Sequence, residues 1–472
     1  MDYSKIGFKC GIECHQQIEG KKLFCDCPTI IKDEGKEKPD FEFKRRLRVS
    51  AGESGKTDIA ALAEQAKGKE FLYQGYNDCT CLVELDEEPP HEINKEALEV
   101  AMTVALLLHC KPVDEIQVMR KIVVDGSNVS GFQRTALIAT HGYIETSLGK
   151  VGIDTVCLEE EAAKAVKKTE KQDTYNLSRL GIPLIEIATD ASIKSPEHAK
   201  EAASKIGMIL RSVKGIKRGI GSIRQDVNLS VKNTPRVEIK GFQEIDTMPQ
   251  VIEKEANRRL KIIESGKIPE HEVRKAEKDG NTTFLRPMPG ADRMYPETDV
   301  PSFKINTSKL ELPELISNKA EKIEDLGLGK DLAEALAKSG KADLLQEFIS
   351  RFKNLKPAFI AETMLTTSKV MRRKYNLDIN PTDQDFQILF DALNEAKISK
   401  DNIEDIFKEQ KPVKDIITKY HSMSDKDLEA QIKKIVSENK ELQFNALIGK
   451  VMGVLRGKAD PKKIIETLNK LK

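Results

Sequence analysis

Over residues 223–240 polar and apolar positions alternate by twos. Arg224, Asp226, Asn228 and Ser230 fall on one side of an extended segment, and Val227, Leu229 and Val231 on the other. Residues 232–235, Lys-Asn-Thr-Pro, read as a turn, after which Arg236, Glu238 and Lys240 alternate with Val237 and Ile239. The pattern predicts a hairpin with one apolar face. The other face is either a solvated surface or a site. It holds few interchangeable Lys and Glu residues, and instead offers guanidiniums, a carboxamide and carboxylates in fixed register, as a phosphate and metal site requires. Just upstream, Lys217-Arg218-Gly219-Ile220-Gly221-Ser222 combines glycines that permit close approach with cationic side chains. The run 11–17 reads as a further strand with Glu13 and His15 on one face. An apolar strand over 151–157 precedes the acidic cluster Glu159, Glu160, Glu161.

Helical periodicity marks 95–108, with Ala97, Val100, Ala101, Val104 and Leu108 on one face and Asn94 as N-cap. It recurs over 196–213, where Ser195 caps and Pro196 opens the helix, and over 250–266, closed by Gly266. Beyond about residue 301 glycine falls, Lys and Glu rise, and helical spacing dominates. Two helical units are expected, 302–405 and 406–472, with a boundary signal at Gln410-Lys-Pro-Val.

Charged residues are 32% of the chain and the formal net charge is +1, so no global field steers it to nucleic acid; any such contact must use local patches. The absence of Trp and 5% aromatics argue against a stacking-based single-strand binder. Eight cysteines are too sparse for a disulfide scaffold. With no signal-peptide pattern and no apolar run approaching a membrane span, a cytoplasmic protein with reduced thiols is expected.

A carboxylate and an imidazole on one strand face, Glu13 and His15, can begin a divalent-metal site, and carboxylates such as Glu159 and Glu160 complete magnesium sites together with substrate phosphates. The pairs Cys25-Asp-Cys27 and Cys79-Thr-Cys81 are a candidate structural zinc site of four thiolates, the alternative being unrelated reduced cysteines. Cys10, Cys14, Cys110 and Cys157 read as core. The stretch 50–57 imitates a phosphate-binding loop, but it lacks the first glycine and follows a charged segment rather than a buried strand, so a surface turn is expected. No hydrolase signature is present.

Longer runs carry a resemblance. They include Gly11-Ile-Glu-Cys-His-Gln-Gln, Lys22-Leu-Phe-Cys-Asp-Cys-Pro, Cys81-Leu-Val-Glu-Leu-Asp-Glu-Glu-Pro-Pro and Val118-Met-Arg-Lys. They continue with Asp125-Gly-Ser-Asn-Val-Ser-Gly-Phe-Gln-Arg, Leu158-Glu-Glu and Arg179-Leu-Gly-Ile-Pro-Leu-Ile-Glu. Further on come Arg218-Gly-Ile-Gly-Ser-Ile-Arg-Gln-Asp-Val-Asn, Val237-Glu-Ile-Lys-Gly, and Leu285-Arg-Pro-Met-Pro through Val300-Pro301. Together they resemble the glutamyl-tRNA(Gln) amidotransferase B/E family, nearest its archaeal E type, across essentially all of 1–301. The run from Asn445 to Pro461 resembles the YqeY-like tail domain of the same family.

The resemblance implies an α+β fold. An antiparallel-sheet cradle domain over 1–301 carries the catalysis; an all-α helical domain over 302–405 and an all-α, tRNA-binding YqeY-like tail over 406–472 follow. It implies ATP-dependent phosphorylation of the glutamyl group on tRNA(Gln), then amidation to glutaminyl-tRNA. Glu13, His15, Glu159 and Glu160 are then expected magnesium ligands. Arg120, Lys121, Glu186 and Glu238 are expected near the nucleotide, and Arg179, Arg224, Asp226 and Lys240 at the reacting centre. Ammonia would come from an asparaginase-like, ammonia-supplying partner of the family's D type in a hetero-oligomer. The alternatives are a B-type enzyme that also forms asparaginyl-tRNA and a non-catalytic tRNA-binding scaffold; the Asn128-Val-Ser-Gly-Phe-Gln-Arg and Tyr295-Pro-Glu-Thr-Asp forms favour the E type. In the helical parts Arg351, Lys353, Arg372, Arg373, Lys374, Lys450, Arg456, Lys458, Lys462 and Lys463 are candidates for tRNA phosphates. The chain departs from the E type in lacking an inserted domain, since only 267–284 separate the third helix from the Leu285-Arg-Pro run. It also has Glu161 where the family commonly has aspartate.

Overall fold

The computed structural model describes residues 2–471 apart from 34–35, 243, 289, 291–292, 422–424, 440–441, 456–458 and 460. The chain divides into two compact units, Met1–Pro313 and Glu314–Lys472.

The first unit is built on strands. In chain order they are β1 (Lys9–Gln17), β2 (Phe41–Arg45), β3 (Glu70–Gly75), β4 (Lys111–Pro112), β5 (Val118–Ile122), β6 (Phe132–Thr146), β7 (Gly149–Glu160) and β8 (Lys164–Lys168). Then follow β9 (Gln172–Asn176), β10 (Pro183–Thr189), β11 (Ile223–Ser230), β12 (Val237–Phe242), β13 (Glu272–Ala276), β14 (Thr282–Pro287) and β15 (Met294–Pro296). Among the described residues they form an eleven-stranded sheet, ordered β14-β13-β12-β11-β1-β10-β7-β6-β5-β15 with β4 beside β6, and a four-stranded sheet, β2-β3-β9-β8. Pairing is antiparallel except for β12 with β13 and β3 with β9.

The pleat explains which face is buried. Cys10, Ile12 and Cys14 of β1, Ile185 and Ile187 of β10, and Val227 and Leu229 of β11 point into one core. Three helices cover that face. α2 (Lys95–Leu107) contributes Ala101 and Val104, α3 (Pro196–Ser212) Ala203 and Ile206, and α4 (Met248–Glu264) Val251 and Ile252. Their starts are set by caps, as the sequence suggests: Asn94 accepts from Ala97 N, and Ser195 accepts from His198 N. The third starts at Met248, ahead of the expected 250, because Pro249 suits a first turn. The short α1 (Ile59–Gln65) is capped by Asp58, and the loop before it closes on itself through Gly52 N to Lys56 O, a turn rather than a phosphate cradle. Chain beyond residue 301 stays with this unit because Phe303 exchanges backbone hydrogen bonds with Ile116, while Ile305 and Leu310 pack on the core.

The second unit is helical throughout its described residues. Helices Ile316–Glu324, Lys330–Lys338, Ala342–Arg351, Pro357–Tyr375, Asp383–Asn394 and Asn402–Lys408 gather around Phe348, Phe352, Phe386 and Phe390. A separate apolar cluster that includes Leu428, Ile432, Val451 and Leu468 joins Asp425–Glu438, Phe444–Leu455 and Pro461–Lys470. Among the described residues, no helix is long and apolar enough to cross a membrane.

Gly142 shows how closely the long β6–β7 ribbon is packed. A Cβ there would lie 2.3 Å from Cys110 Sγ and 2.5 Å from the Leu108 carbonyl oxygen. The backbone contact cannot swing aside, so Gly142→Ala is expected to cost about 1–3 kcal/mol by overpacking. Urea denaturation of the variant checks this, and an unchanged midpoint would show the approach to be looser.

Candidate active site

In an antiparallel sheet, directly paired residues share a face. β1 pairs Glu13 with Asp226 and His15 with Arg224 of β11, and pairs His15 with Glu186 of β10. Leu184 of β10 sits opposite Glu159 of β7, which in turn faces Thr135 of β6; Gln133 of β6 faces Lys121 of β5. Asn228 pairs with Glu238 of β12. The side of the sheet opposite the three helices is therefore a field of polar side chains. They line a cavity of about 530 Å³.

The contacts in this field are short and mutual. Lys121 Nζ lies 2.5 Å from Glu159 Oε1 and 3.7 Å from Glu186 Oε2. His15 Nε2 is 3.2 Å from Glu186 Oε2. Asn228 donates to Glu13 at 2.8 Å. Lys240 bridges Asp226, at 2.8 Å, and Glu238. Arg224 Nη2 reaches both oxygens of Glu161, at 2.8 and 2.9 Å, and Gln17 donates to the same carboxylate at 3.0 Å. Arg179 is held by the carbonyls of Ala162 and Ala163, with its Nε 3.9 Å from Glu161.

Burial of so many like charges separates their proton affinities. Burial pushes the Glu13 carboxyl up, and Glu186 and Glu238 push it further. Burial and Glu186 likewise raise Glu159, against the pull of Lys121. On Glu186 burial is outweighed by Lys121 and His15, which hold the carboxyl well below the usual range. Burial opposes the charge on His15, yet the Glu186 hydrogen bond and the surrounding carboxylates raise the imidazole.

Two sets fit a divalent cation. One ligand atom each from Glu13, His15 and Asp226, and one each from His15, Glu159 and Glu186, lie within 4.8 Å of one another. Carboxylates left partly uncompensated in a buried site are the donors that a hard cation with bound phosphate oxygens uses.

The model of the GatB/GatE catalytic domain matches residues 8–311, and that of the GatB domain matches 343–471. The chain belongs to the GatB/GatE family. It is a ligase-type, tRNA-dependent amidotransferase subunit. It is 36% identical to the E subunit of glutamyl-tRNA(Gln) amidotransferase from Methanocaldococcus jannaschii, an alignment covering 100% of this chain and 99% of that protein. It is 35% identical to the protein of the same name from Sulfurisphaera tokodaii, again over 100% and 99%. The first alignment spans 628 positions against the 472 residues here, so the relative carries segments this chain lacks. Between α4 and the Leu285-Arg-Pro run this chain has only a short link, β13, a tight turn and the start of β14.

Three expected site residues lie elsewhere in this GatB/GatE protein. Glu160 cannot share a face with Glu159, because consecutive strand residues point to opposite sides. It turns away from the cavity and accepts from Arg134 N at 3.0 Å, so it is not a magnesium ligand there. Arg120 is turned away from Lys121 for the same reason. It pairs with Glu297 and with Asp299, at 3.1 Å, and lies over the Phe132 ring at 4.5 Å, away from the nucleotide position expected of it. Cys79 is buried apart from the other cysteines; Cys25, Cys27 and Cys81 are joined instead by Glu84, with one atom of each within 4.8 Å. Residues not anticipated at the cavity are Gln133, which donates to Glu159 at 3.1 Å, and Arg286 and Arg293 on the lining. All three lie inside the family runs, but their spacing alone gives no signal. In the 285–301 run, Pro289, Ala291 and Asp292 lie outside the described residues.

The Cys25/Cys27/Cys81/Glu84 set is tightly bonded. Cys25 Sγ donates to Glu84 at 2.9 Å, and Cys81 N donates to it at 2.7 Å. Hydrogen bonds from Cys27 and Cys81 raise the Cys25 thiol, while Cys81 is held low. Lys22, fully buried, stands 3.6 Å from Glu84. Three thiols and a carboxylate beside a buried lysine make a mixed sulfur and oxygen donor set of the kind zinc takes.

Several helical cations are engaged within the second unit. Arg351 pairs with Asp391, Arg372 with Asp378, and Lys374 with Glu404, while Lys450 donates to Asn439 at 2.6 Å. Lys353 and Arg373 are exposed. Arg456 and Lys458 lie outside the described residues, as does the side chain of Lys462.

Glu161 anchors Arg224 and Arg179, and they hold its carboxyl below the ordinary value despite burial. A lowered carboxyl contributes stability that is present above the unfolded pKa of about 4.3 and lost as pH falls through the folded value. Glu161→Gln is therefore expected to cost about 1–3 kcal/mol at pH 7, reduced from the fully buried case because Arg224 is partly solvated. The difference from wild type should shrink toward pH 3. Urea titrations at both pH values test it, and a pH-independent difference would contradict the ion-pair account.

Proposed function

We propose that the protein activates and amidates the glutamyl group of glutamyl-tRNA(Gln). The supporting observation is the convergence of Glu13, His15, Glu159, Glu186 and Asp226 with Lys121, Lys240, Arg179 and Arg224 on one sheet face. A side-chain carboxylate is a poor electrophile for ammonia. Transfer of the ATP γ-phosphoryl group makes it an acyl phosphate, and attack by ammonia on the acyl carbon releases phosphate. Magnesium, held by His15 with Glu13 and Asp226 or with Glu159 and Glu186, would neutralise phosphate charge. Lys121 and Lys240 would meet the charge that develops on the transferring oxygens. Arg224, 38% exposed at its side chain, is placed to exchange Glu161 for a substrate carboxylate or phosphate. Arg286 and Arg293 supply further positive charge at the lining. Ammonia would come from an asparaginase-like partner of the D type within a hetero-oligomer. The cysteine–glutamate set would hold a structural zinc through Cys25, Cys27, Cys81 and Glu84.

Glu13 tests the metal assignment most cleanly, since its hydrogen-bond partner is Asn228 and no cation is orphaned by its loss. With glutamyl-tRNA, ATP and free ammonium, Glu13→Gln is expected to lower kcat about 100-fold. Part of that loss should return at high magnesium, with tRNA affinity unchanged. Wild-type rates and magnesium dependence in the variant would refute the assignment.

Metal analysis tests the second site. The purified protein is expected to carry about one equivalent of zinc. Cys81→Ser and Glu84→Gln should lower that content and the melting temperature, while Cys79→Ser should leave the content intact. Loss of zinc on changing Cys79, with retention on changing Glu84, would reverse the ligand assignment.

A further inference from the structure

The loop that leads into β11 carries an apolar side chain with no packing role. Ile220 is fully exposed, at 106% of its reference area. It stands between Gly219 (φ +115°) and Gly221 (φ +82°), both in conformations that L side chains resist. Beyond the adjoining residues, no heavy atom lies within 4 Å of the Cβ position of either glycine, so neither is required by a close packing contact. The base of the loop is pinned. Lys217 N donates to Gln17 O, Gln17 N to Ser222 O, both at 2.9 Å, and Ser222 Oγ to Gly219 O at 2.8 Å. Only the tip projects.

The chain around the tip is basic in sequence. Residues 211–224 contain Arg211, Lys214, Lys217, Arg218 and Arg224 and no acidic residue, in a chain whose 77 basic and 76 acidic residues otherwise balance. Arg218 is exposed and braced against the Arg211 carbonyl at 2.9 Å. Four residues beyond Ile220, at most about 14 Å along extended chain, Arg224 lines the cavity. An exposed apolar side chain in a basic run that leads to a cavity-lining arginine matches a polyanion that also presents apolar faces. Unstacked nucleotides are such a ligand; their phosphates meet the cations and a base face meets the aliphatic tip.

We propose that Ile220 is a wedge that seats against a base of the unpaired 3′ end of the substrate tRNA, with Arg218 and its basic neighbours on the adjoining phosphates. This rests on the reading that the charged acceptor end enters the cavity. The glycines give the tip its reach, and the pinned base fixes its position relative to Arg224. A protein partner is the competing occupant, but the exposed Arg211, Lys214 and Arg218, in a run without an acidic residue, favour the nucleic acid.

The full-length protein is tested with two probes, an acceptor-stem minihelix with its unpaired 3′ nucleotides and the same duplex cut flush. Ile220→Ser is expected to weaken binding of the first about 5–20-fold and to leave the second unchanged. Ile220→Leu should restore binding. Melting temperatures should not move, because the side chain buries nothing. Arg218→Ala should lower the salt dependence of binding by about one unit of slope. Equal binding of the overhanging minihelix by wild type and Ile220→Ser overturns the proposal. So does a defect confined to amidation driven by the ammonia-donating partner, which would assign the tip to a protein contact. Failure of the functional reading looks different: wild type would bind the overhang through Ile220 yet show no ATP-dependent amidation with free ammonium.

Discussion

The backbone hydrogen-bond register of β11, β1, β10 and β7 is the constraint on which the rest depends. Glu13, His15, Glu159, Glu186, Arg224 and Asp226 come from four strands far apart in sequence. They meet because Glu13 is paired with Asp226, His15 with both Arg224 and Glu186, and Leu184 with Glu159. A slip of one residue in β1 would send Glu13 and His15 into the apolar layer beneath α2 and α3 and bring Cys14 into the cavity. The core residues Ile12, Val227 and Ile187 enforce the register, so the same packing that stabilises the unit aims the chemistry. Helices on one face and charge on the other are one arrangement seen from two sides.

The charges on that face are held in tension. Lys121 and His15 lower Glu186 while burial and that same Glu186 raise Glu159, so neighbouring carboxyls differ in their readiness to lose a proton. Incoming cationic charge would relieve this repulsion, and incoming phosphate would in turn be drawn to Lys121, Lys240 and the arginines. A buried, incompletely neutralised cluster costs folding free energy and is retained where function uses it.

Much of this was legible in the sequence wherever local periodicity carries the information. The period of two puts Glu13 with His15 and Arg224 with Asp226 on common faces, and caps at Asn94 and Ser195 place two helices to within a residue or so. The same period also separates Glu159 from Glu160 and Arg120 from Lys121, although each pair is adjacent in a run of like charge. What local pattern cannot supply is the order of strands. That Gln133 reaches Glu159, or that Glu84 rather than Cys79 completes the cysteine set, depends on which segments the sheets make adjacent. The family runs contain these residues, but a run names a neighbourhood and not a direction.

The turn between β13 and β14 has a consequence for how this family varies. It joins two antiparallel neighbours at the margin of the large sheet, through a tight reversal at Gly280 with Glu277 and Asn281 bonded across it. Strands paired in this way leave and re-enter the sheet about 5 Å apart. A whole folded module can therefore be spliced in or deleted there without disturbing any pairing inward of β13. The resemblance places the E-type insertion within 267–284, the stretch that holds β13 and this turn. The enzyme's outer reach can thus be rewritten at one seam while its chemical floor stays fixed.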